Sequence, residues 1–182
     1  MIEIVEGDIV RATEQYICHQ CNCVTNRAAH LAAYVFQHFP YADIYKDRSF
    51  PHQPGPGGMP GDIVIRGNGS DQRLVVAMLG QYYPGKPRFP ESKRDGFEAR
   101  QGYFAACLDK IAEIPGLVSV AFPYQVGCGA AGGSWPAYLA MIEELSHRIP
   151  NGIVIYKLNT GLYKKIVDAD QFNDEQDVPQ EP

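Results

Sequence analysis

The chain has 182 residues, 45% of them hydrophobic, with 21 acidic and 16 basic side chains and a formal net charge of −5. That size suits one globular domain with a core large enough to need no disulfide or metal staple, and it leaves little room for a second domain. The charge is unevenly placed, because residues 166–182 hold Asp168, Asp170, Asp174, Glu175, Asp177 and Glu181 and no Lys or Arg. The rest is close to neutral, which excludes a basic field for wrapping duplex DNA but does not repel a small anion.

The N-terminal MIEIVEGDIV carries acidic residues where a secretory signal carries basic ones, and no apolar run approaches the roughly 18 residues of a membrane span. The expectation is a soluble, cytoplasmic protein. Alternation in Ile2-Glu3-Ile4-Val5 predicts a first strand ending at Gly7-Asp8, and residues 16–20 read as a second, buried strand. Cys18, Cys21 and Cys23 crowd this region, and with Cys107 and Cys128 they make an odd set of five, which suits free thiols in a reducing compartment. His19 beside them invites a metal reading, but neighbours on a strand point to opposite faces. Buried small cysteines are expected instead, with no metal and no cofactor.

From residue 28 to 39, Leu31, Tyr34, Val35 and Phe39 recur at helical spacing and Pro40 stops the run. Residues 50–61 hold four prolines and four glycines, too many breakers for anything but a loop. Two strands follow, over 62–66 and 74–79, joined by the turn GNGSD as a hairpin. QYYPGKPRFPESK then reads as a second exposed loop, a candidate lid. A helix over 95–114, a strand over 117–122, a helix over 135–149 opened by Pro136, and a last strand over 153–158 complete the series. Helices alternating with short strands predict an α/β sandwich whose sheet the hairpin makes mixed.

Between the fifth strand and the third helix lies VGCGAAGGSW, with Gly127-x-Gly129-x-x-Gly132. A strand, then glycines, then a helix start gathers backbone N–H groups around one point, as phosphate oxygens require. The alternative is a plain turn. A redox dinucleotide fold places this fingerprint after its first strand, and here it follows the penultimate one. Cys128 in such a loop also raises a cysteine-dependent phosphatase, but no arginine occurs between Gly127 and Tyr138 to clamp an oxyanion.

VEGDIV at 5–10, HQCNC at 19–23, FPYAD at 39–43, QYYPGKP at 81–87 and FPYQVGCGAAGGSW at 122–135, in this order, resemble a macrodomain. The resemblance is to the phage and viral branch, related to ADP-ribose-1″-phosphate phosphatases and ADP-ribosylglutamate hydrolases. It implies a three-layer α/β/α fold over residues 1–160, acting as a monomer on ADP-ribose, a derivative of it, or ADP-ribosylated macromolecules; the acidic tail over 161–182 lacks the apolar content to fold alone and is expected to be disordered. It also implies that Asp8 accepts from the adenine amino group beside Ile9, that Asn22 meets the distal ribose, and that Tyr156 and Asn159 border the adenine. The loop from Thr25 to Leu31 and the loop Val126, Gly127, Cys128, Gly129, Ala130, Ala131, Gly132, Gly133, Ser134 would close on the diphosphate. Each residue has a bland alternative: Asp8 caps a turn, Asn22 satisfies loop backbone, Tyr156 is core.

The chain departs from the resemblance at three places. Arg27-Ala28-Ala29-His30-Leu31 stands where relatives carry a glycine before the helix. Gly80-Gln81 and Ala130-Ala131 stand where the glutamate hydrolases have a lysine and an aspartate, and Ser134 stands where phage-type relatives have an aspartate. The remaining catalytic candidates are Asn22, to position a water or the ribose, and His19 or His30 for acid–base work. The expected activity is hydrolysis of a distal-ribose substituent; the alternative is a reader that binds ADP-ribose without turnover. A third class, an interaction or nucleic-acid module, would rest on Lys46, Arg48, Lys86, Arg88, Lys93 and Arg94.

Overall fold

The computed structural model describes residues 1–49 and 52–159, so the acidic segment 161–182 and its expected disorder lie outside the described residues. In chain order these residues form β1 (Ile2–Glu6), β2 (Tyr16–Asn22), α1 (His30–His38), β3 (Ile63–Arg66), β4 (Leu74–Gln81), α2 (Phe97–Ala112), β5 (Val120–Pro123), α3 (Trp135–Ser146) and β6 (Ile153–Lys157), with single helical turns at Ile9–Arg11 and Pro40–Ala42. The strands make one six-stranded sheet in the order β1-β6-β5-β2-β4-β3. Every neighbouring pair is parallel except β3 and β4, the hairpin around GNGSD.

The layering follows from period-2 alternation in strands that are buried on both faces. In β4, Val76 and Met78 face one way and pack with Phe104, Cys107 and Ile111 of α2 and Tyr138, Ile142 and Leu145 of α3. Val75, Ala77 and Leu79 face the other way, onto Ala32, Val35 and Phe36 of α1. The expected three-layer α/β/α sandwich with a mixed sheet is therefore the observed one. Four of the five cysteines are fully enclosed in these layers, and Cys128 is half-buried.

Several element ends differ from the sequence expectation, each for a local reason. The second helix starts at Phe97 rather than at residue 95, because the Asp95 carboxylate is engaged outside the helix by Tyr82 N and Arg100. The third helix stops at Ser146 because the Arg148 and Ile149 amides donate to Leu145 and Ser146, three residues back, as the chain tightens before Pro150. The second strand runs on to Asn22, and β4 to Gln81, across an irregularity that re-aims the ends of both. Residues 52–61 form no helix or strand. Among the described residues, no helix is long and apolar enough to cross a membrane.

Phe104 is fully buried and stacks on Tyr138 with ring centroids 4.3 Å apart, which ties α2 to α3. Phe104→Ala should lower the unfolding free energy by about 3–5 kcal/mol. In urea titrations the midpoint would fall while the slope stays near that of the parent; an unchanged midpoint would remove this ring pair from the core.

Candidate functional site

The sheet reverses its winding between β2 and β5: the chain leaves β2 toward β4 on one side and crosses by α2 to β5 on the other. These two strands pair only at Tyr16–Val120 and Ile17–Ala121 and then separate, although β2 continues five residues further, to Asn22. A crevice therefore opens at the carboxyl ends of the central strands, the place where open α/β sheets take ligands. The connections after β1, β2, β5 and β6 all end on this edge, as parallel strands require.

At one end of the crevice, Ile9, Ala12, Ile17 and Ala121 form a small apolar cluster against which Leu31 and Tyr156 pack. Asp8 stands at its rim. One carboxylate oxygen accepts from Val10 N at 3.1 Å, capping the turn Ile9–Arg11, and the other accepts from the Tyr34 hydroxyl at 2.5 Å. Burial, with the Asp8 carboxylate second, pushes the Tyr34 phenol up to about 12, so it remains a donor. Asp8 thus does cap a turn, yet an ionised carboxylate offers about four lone-pair sites and only two are engaged here. The Tyr156 hydroxyl donates to Glu14 at 2.9 Å, so this ring is part of the wall and only half-buried, while Asn159 is exposed.

At the end of β2, Asn22 Oδ1 accepts from Val24 N, Thr25 N and the Thr25 hydroxyl at 2.9–3.0 Å. Its carbonyl side therefore holds the loop, and only the Nδ2 amide donors remain for a ligand. Two residues that the sequence reading left out of the site support this turn. Tyr45, fully buried, accepts from Asn22 N at 2.8 Å, and Arg48 donates to the carbonyls of Asn22 and Thr25 at 3.0 and 3.1 Å while lying over the Tyr45 ring. The missing glycine ahead of α1 has a structural consequence: His30 opens the helix in the left-handed region, at φ 51°. A side chain held there costs on the order of 1–3 kcal/mol, a strain seen mostly at ligand sites. Ala29 at the N-cap of α1 offers no side-chain acceptor to the first turn.

The glycine loop leaves β5 at the same edge of the sheet at which β2 leads toward α1. The N–H groups of Gly127, Gly129, Ala130, Ala131 and Ser134 meet no acceptor among the described residues. Gly127, at φ 71°, is held so close to Gln20 and Tyr138 that a Cβ would lie 2.4 Å from Gln20 Oε1 and 2.6 Å from the Tyr138 ring. Only glycine fits. Cys128 is no nucleophile here: burial pushes its thiol up to about 12 and Sγ donates to Val126 O at 3.3 Å, which removes the phosphatase reading built on it.

The loop is tied down by an arginine from α2, a residue unremarked in the sequence reading. Arg100, 2% exposed, donates to the Ala131 carbonyl at 3.0 Å, to the Gly85 and Tyr83 carbonyls at 2.6 and 3.3 Å, and to both oxygens of Asp95 at 3.1 and 2.5 Å. Asp95 in turn accepts from Tyr82 N at 2.7 Å. The QYYPGKPRFPESK stretch is thereby anchored near both ends. The sequence signal was available: Arg100, Phe104, Cys107 and Ile111 fall on one helical stripe, and an arginine on an apolar stripe demands an internal partner. Two recesses flank the crevice. One of about 280 Å³ lies beyond the glycine loop, between Phe97, Gln101 and Tyr138, and one of about 360 Å³ lies between Met59, Tyr82, Arg94 and Tyr103.

His19 does not join the crevice. Its ring is fully enclosed, edge-on to Phe36 at 5.1 Å, with Cys21 Sγ 3.7 Å from Nδ1, and burial lowers its pKa to about 4. Burial also raises the Cys18, Cys21 and Cys23 thiols, the latter two to about 12, so they sit as protonated core side chains. His30 is half-buried at the crevice edge.

Neither a family model nor a curated protein matches the sequence. Solved structures do match the fold. The macrodomain of Mycobacterium tuberculosis DarG superposes with a TM-score of 0.60 at 18% identity, over 86% of this chain and 97% of that one. The macrodomain of Thermus aquaticus DarG gives 0.57 at 18% identity, over 87% and 98%. A single-site mutant of the Oceanobacillus iheyensis macrodomain with ADPR gives 0.55 at 16% identity, over 93% and 90%.

Arg100→Met would leave the Asp95 carboxylate buried without a counter-charge, and should cost about 3–5 kcal/mol. Adding Asp95→Asn, which keeps an acceptor for Tyr82 N, should recover part of that loss in urea titrations; equal destabilisation of the single and double variants would show the pair to be uncoupled. For His19 the folded pKa lies below the unfolded value of 6.5, so the unfolded chain takes up its proton first as pH falls. Its contribution, about 3 kcal/mol, is intact above about pH 6.5 and is lost toward pH 4. His19→Leu should flatten the dependence of unfolding free energy on pH in that window, and a parental slope would contradict the assignment.

Proposed function

We propose that this chain, which has the macrodomain fold, binds ADP-ribose in the crevice between β2 and β5. The observation that carries the reading is the glycine loop, five of whose amides meet no acceptor among the described residues, leaving β5 where that strand parts from β2. Such amides favour a diphosphate without any basic side chain, which suits the near-neutral body of the chain. Asp8 and Ile9 would take the adenine, bordered by Tyr156 and Asn159. Thr25 to Leu31 and Val126 to Ser134 would enclose the diphosphate, and Asn22 Nδ2 would meet the distal ribose. ADP-ribosylated macromolecules are the natural larger ligands.

The enzymatic form of this reading is hydrolysis at the distal ribose. A water held by Asn22 would attack, the bond to the phosphate or ADP-ribosyl substituent would break, and the water's proton would pass to the leaving group. His30 is the sequence candidate best placed for that proton, since His19 is sealed in the core. The enclosure of His19, together with alanines at 130 and 131, favours the second reading, a module that binds ADP-ribose without turnover.

Calorimetry with ADP-ribose tests the binding, and product analysis on ADP-ribose-1″-phosphate and on ADP-ribosylated protein tests the chemistry. Binding should be saturable and should weaken at least about tenfold in Asp8→Ala, on the scale of a lost charge-assisted hydrogen bond. No heat and no protection from unfolding by ADP-ribose would refute the assignment. Binding without product on either substrate would leave the reader as the function, whereas product lost in Asn22→Ala and His30→Ala would establish the hydrolase.

A further inference from the structure

We propose that the recess between the first turns of α2 and α3 is a second binding site, separate from the crevice, and that it takes a small organic phosphate. The site stands on its own residues and does not depend on the ADP-ribose reading.

The recess has a volume of about 280 Å³ and is lined by Phe97, Gln101, Gly132, Gly133, Ser134 and Tyr138. Phe97 and Gln101 belong to the first two turns of α2. Ser134 is the N-cap of α3, and the Tyr138 amide donates to its carbonyl at 3.0 Å. Two helix N-termini therefore meet here, each with partial positive charge on amides that have no acceptor inside the helix.

Between them stands a buried hydroxyl without a partner. Tyr138 is 1% exposed, its ring stacked on Phe104 and pressed against Gly127 and Gly133. A buried phenol normally finds a hydrogen bond, and this one makes none among the described residues. The enclosed side-chain polar atoms that lack a partner among those residues are Gln20 Oε1 and Arg73 Nε. The Tyr138 hydroxyl is thus unpartnered but not sealed, and it opens on the recess that its ring lines. Burial, with Cys128 second, pushes this phenol up to about 12, so it stays protonated and donates. Ser134 adds two more groups, since its hydroxyl does not cap α3 and its amide meets no acceptor among the described residues. The Gln101 side chain, half-buried, makes no hydrogen bond among them either. Polar groups left in this state gain most from a ligand that satisfies them together.

Charge and shape select the ligand. Lys86 is exposed and runs its stem along Gly132, where a Cβ would lie 2.9 Å from Lys86 Cγ, and it makes no salt bridge among the described residues. Asp95 is already paired with Arg100, and Glu98, beside Phe97, is exposed and does not line the recess. Phe97 is 43% exposed and leaves an apolar ring at the rim. Donors at two helix starts suit phosphate oxygens, and the ring suits the apolar body of an ester. A cation would meet the same helix ends unfavourably.

The test uses phenyl phosphate and the full, isotope-labelled chain, read by amide NMR. The probe should shift the amides of Gly132, Gly133 and Ser134 and the side-chain amide of Gln101 saturably. Inorganic phosphate should bind at the same place more weakly, because it leaves Phe97 uncovered. Tyr138→Phe deletes only an unpartnered hydroxyl, so it should unfold at the parental urea midpoint and bind phenyl phosphate at least about tenfold more weakly, on the scale of a hydrogen bond to a charged group. Ser134→Asp places a carboxylate at the N-cap of α3, which favours the helix and repels the anion; its midpoint should hold or rise while the probe no longer binds. Shifts that never saturate, or parental affinity in either variant, would overturn the site. Saturating ADP-ribose should leave phenyl phosphate in place, and displacement would make the recess part of the crevice and end the claim of a second site. If ADP-ribose does not bind at all, the crevice reading fails, and the two variants alone decide the recess.

Discussion

A guanidinium taken out of water must find acceptors for all its donors, and the arrangement around the crevice follows from how Arg100 meets that demand. Its fork is matched by one carboxylate and three backbone carbonyls, drawn from the connection between β4 and α2 and from the glycine loop. Carbonyls that accept from Arg100 face inward, and the peptide N–H groups beside them turn outward. Ala131 gives its carbonyl to Arg100, while its amide meets no acceptor among the described residues. The charge also has a counter-charge at Asp95, so the pair is buried as a neutral unit and removal of either partner alone strands the other.

The second constraint is the divergence of β2 from β5. Two parallel strands that stay paired leave no room for a ligand, and these two part after Ala121. The gap is floored by Ile9, Ile17 and Ala121 and walled by loops that are stiff for separate reasons: Asn22, Tyr45 and Arg48 on one side, Gly127 locked against Tyr138 on the other. The Asp8 carboxylate stands at one end of this gap, and amides of the glycine loop that meet no acceptor among the described residues follow β5. The proposed ligand, with phosphate in the middle and an amino-bearing ring at one end, would meet donors and an acceptor in that order.

The left-handed His30 shows how the chain manages without the glycine expected there. The side chains that follow it, Leu31 and Phe36, are packed in the core beneath α1. The core limits chemistry here: His19, one of the two candidate histidines, is sealed inside it, and the cysteines around β2 are neutral filling.

Much of the fold was legible in residue order. Strand alternation, the Pro40 stop, the GNGSD turn and the run of helix and strand patterns led to a mixed three-layer sandwich, because these are local signals whose period is set by backbone geometry. The glycine loop was legible for the same reason, since only glycine tolerates its φ and its close contacts. What residue order could not decide was which polar residues face one another across 30 or 60 positions. Nothing local distinguishes His19, sealed against Phe36, from a catalytic histidine, or marks Tyr34 and Arg48 as the partners of Asp8 and Asn22. Arg100 was the exception that left a trace, a charge on an apolar stripe, but its acceptors at Gly85 and Ala131 lie 15 residues before it and 31 after it. Periodicity determines what a segment is; the tertiary packing alone decides what each buried charge must bind, because that depends on which acceptors the folded layers bring within 3 Å.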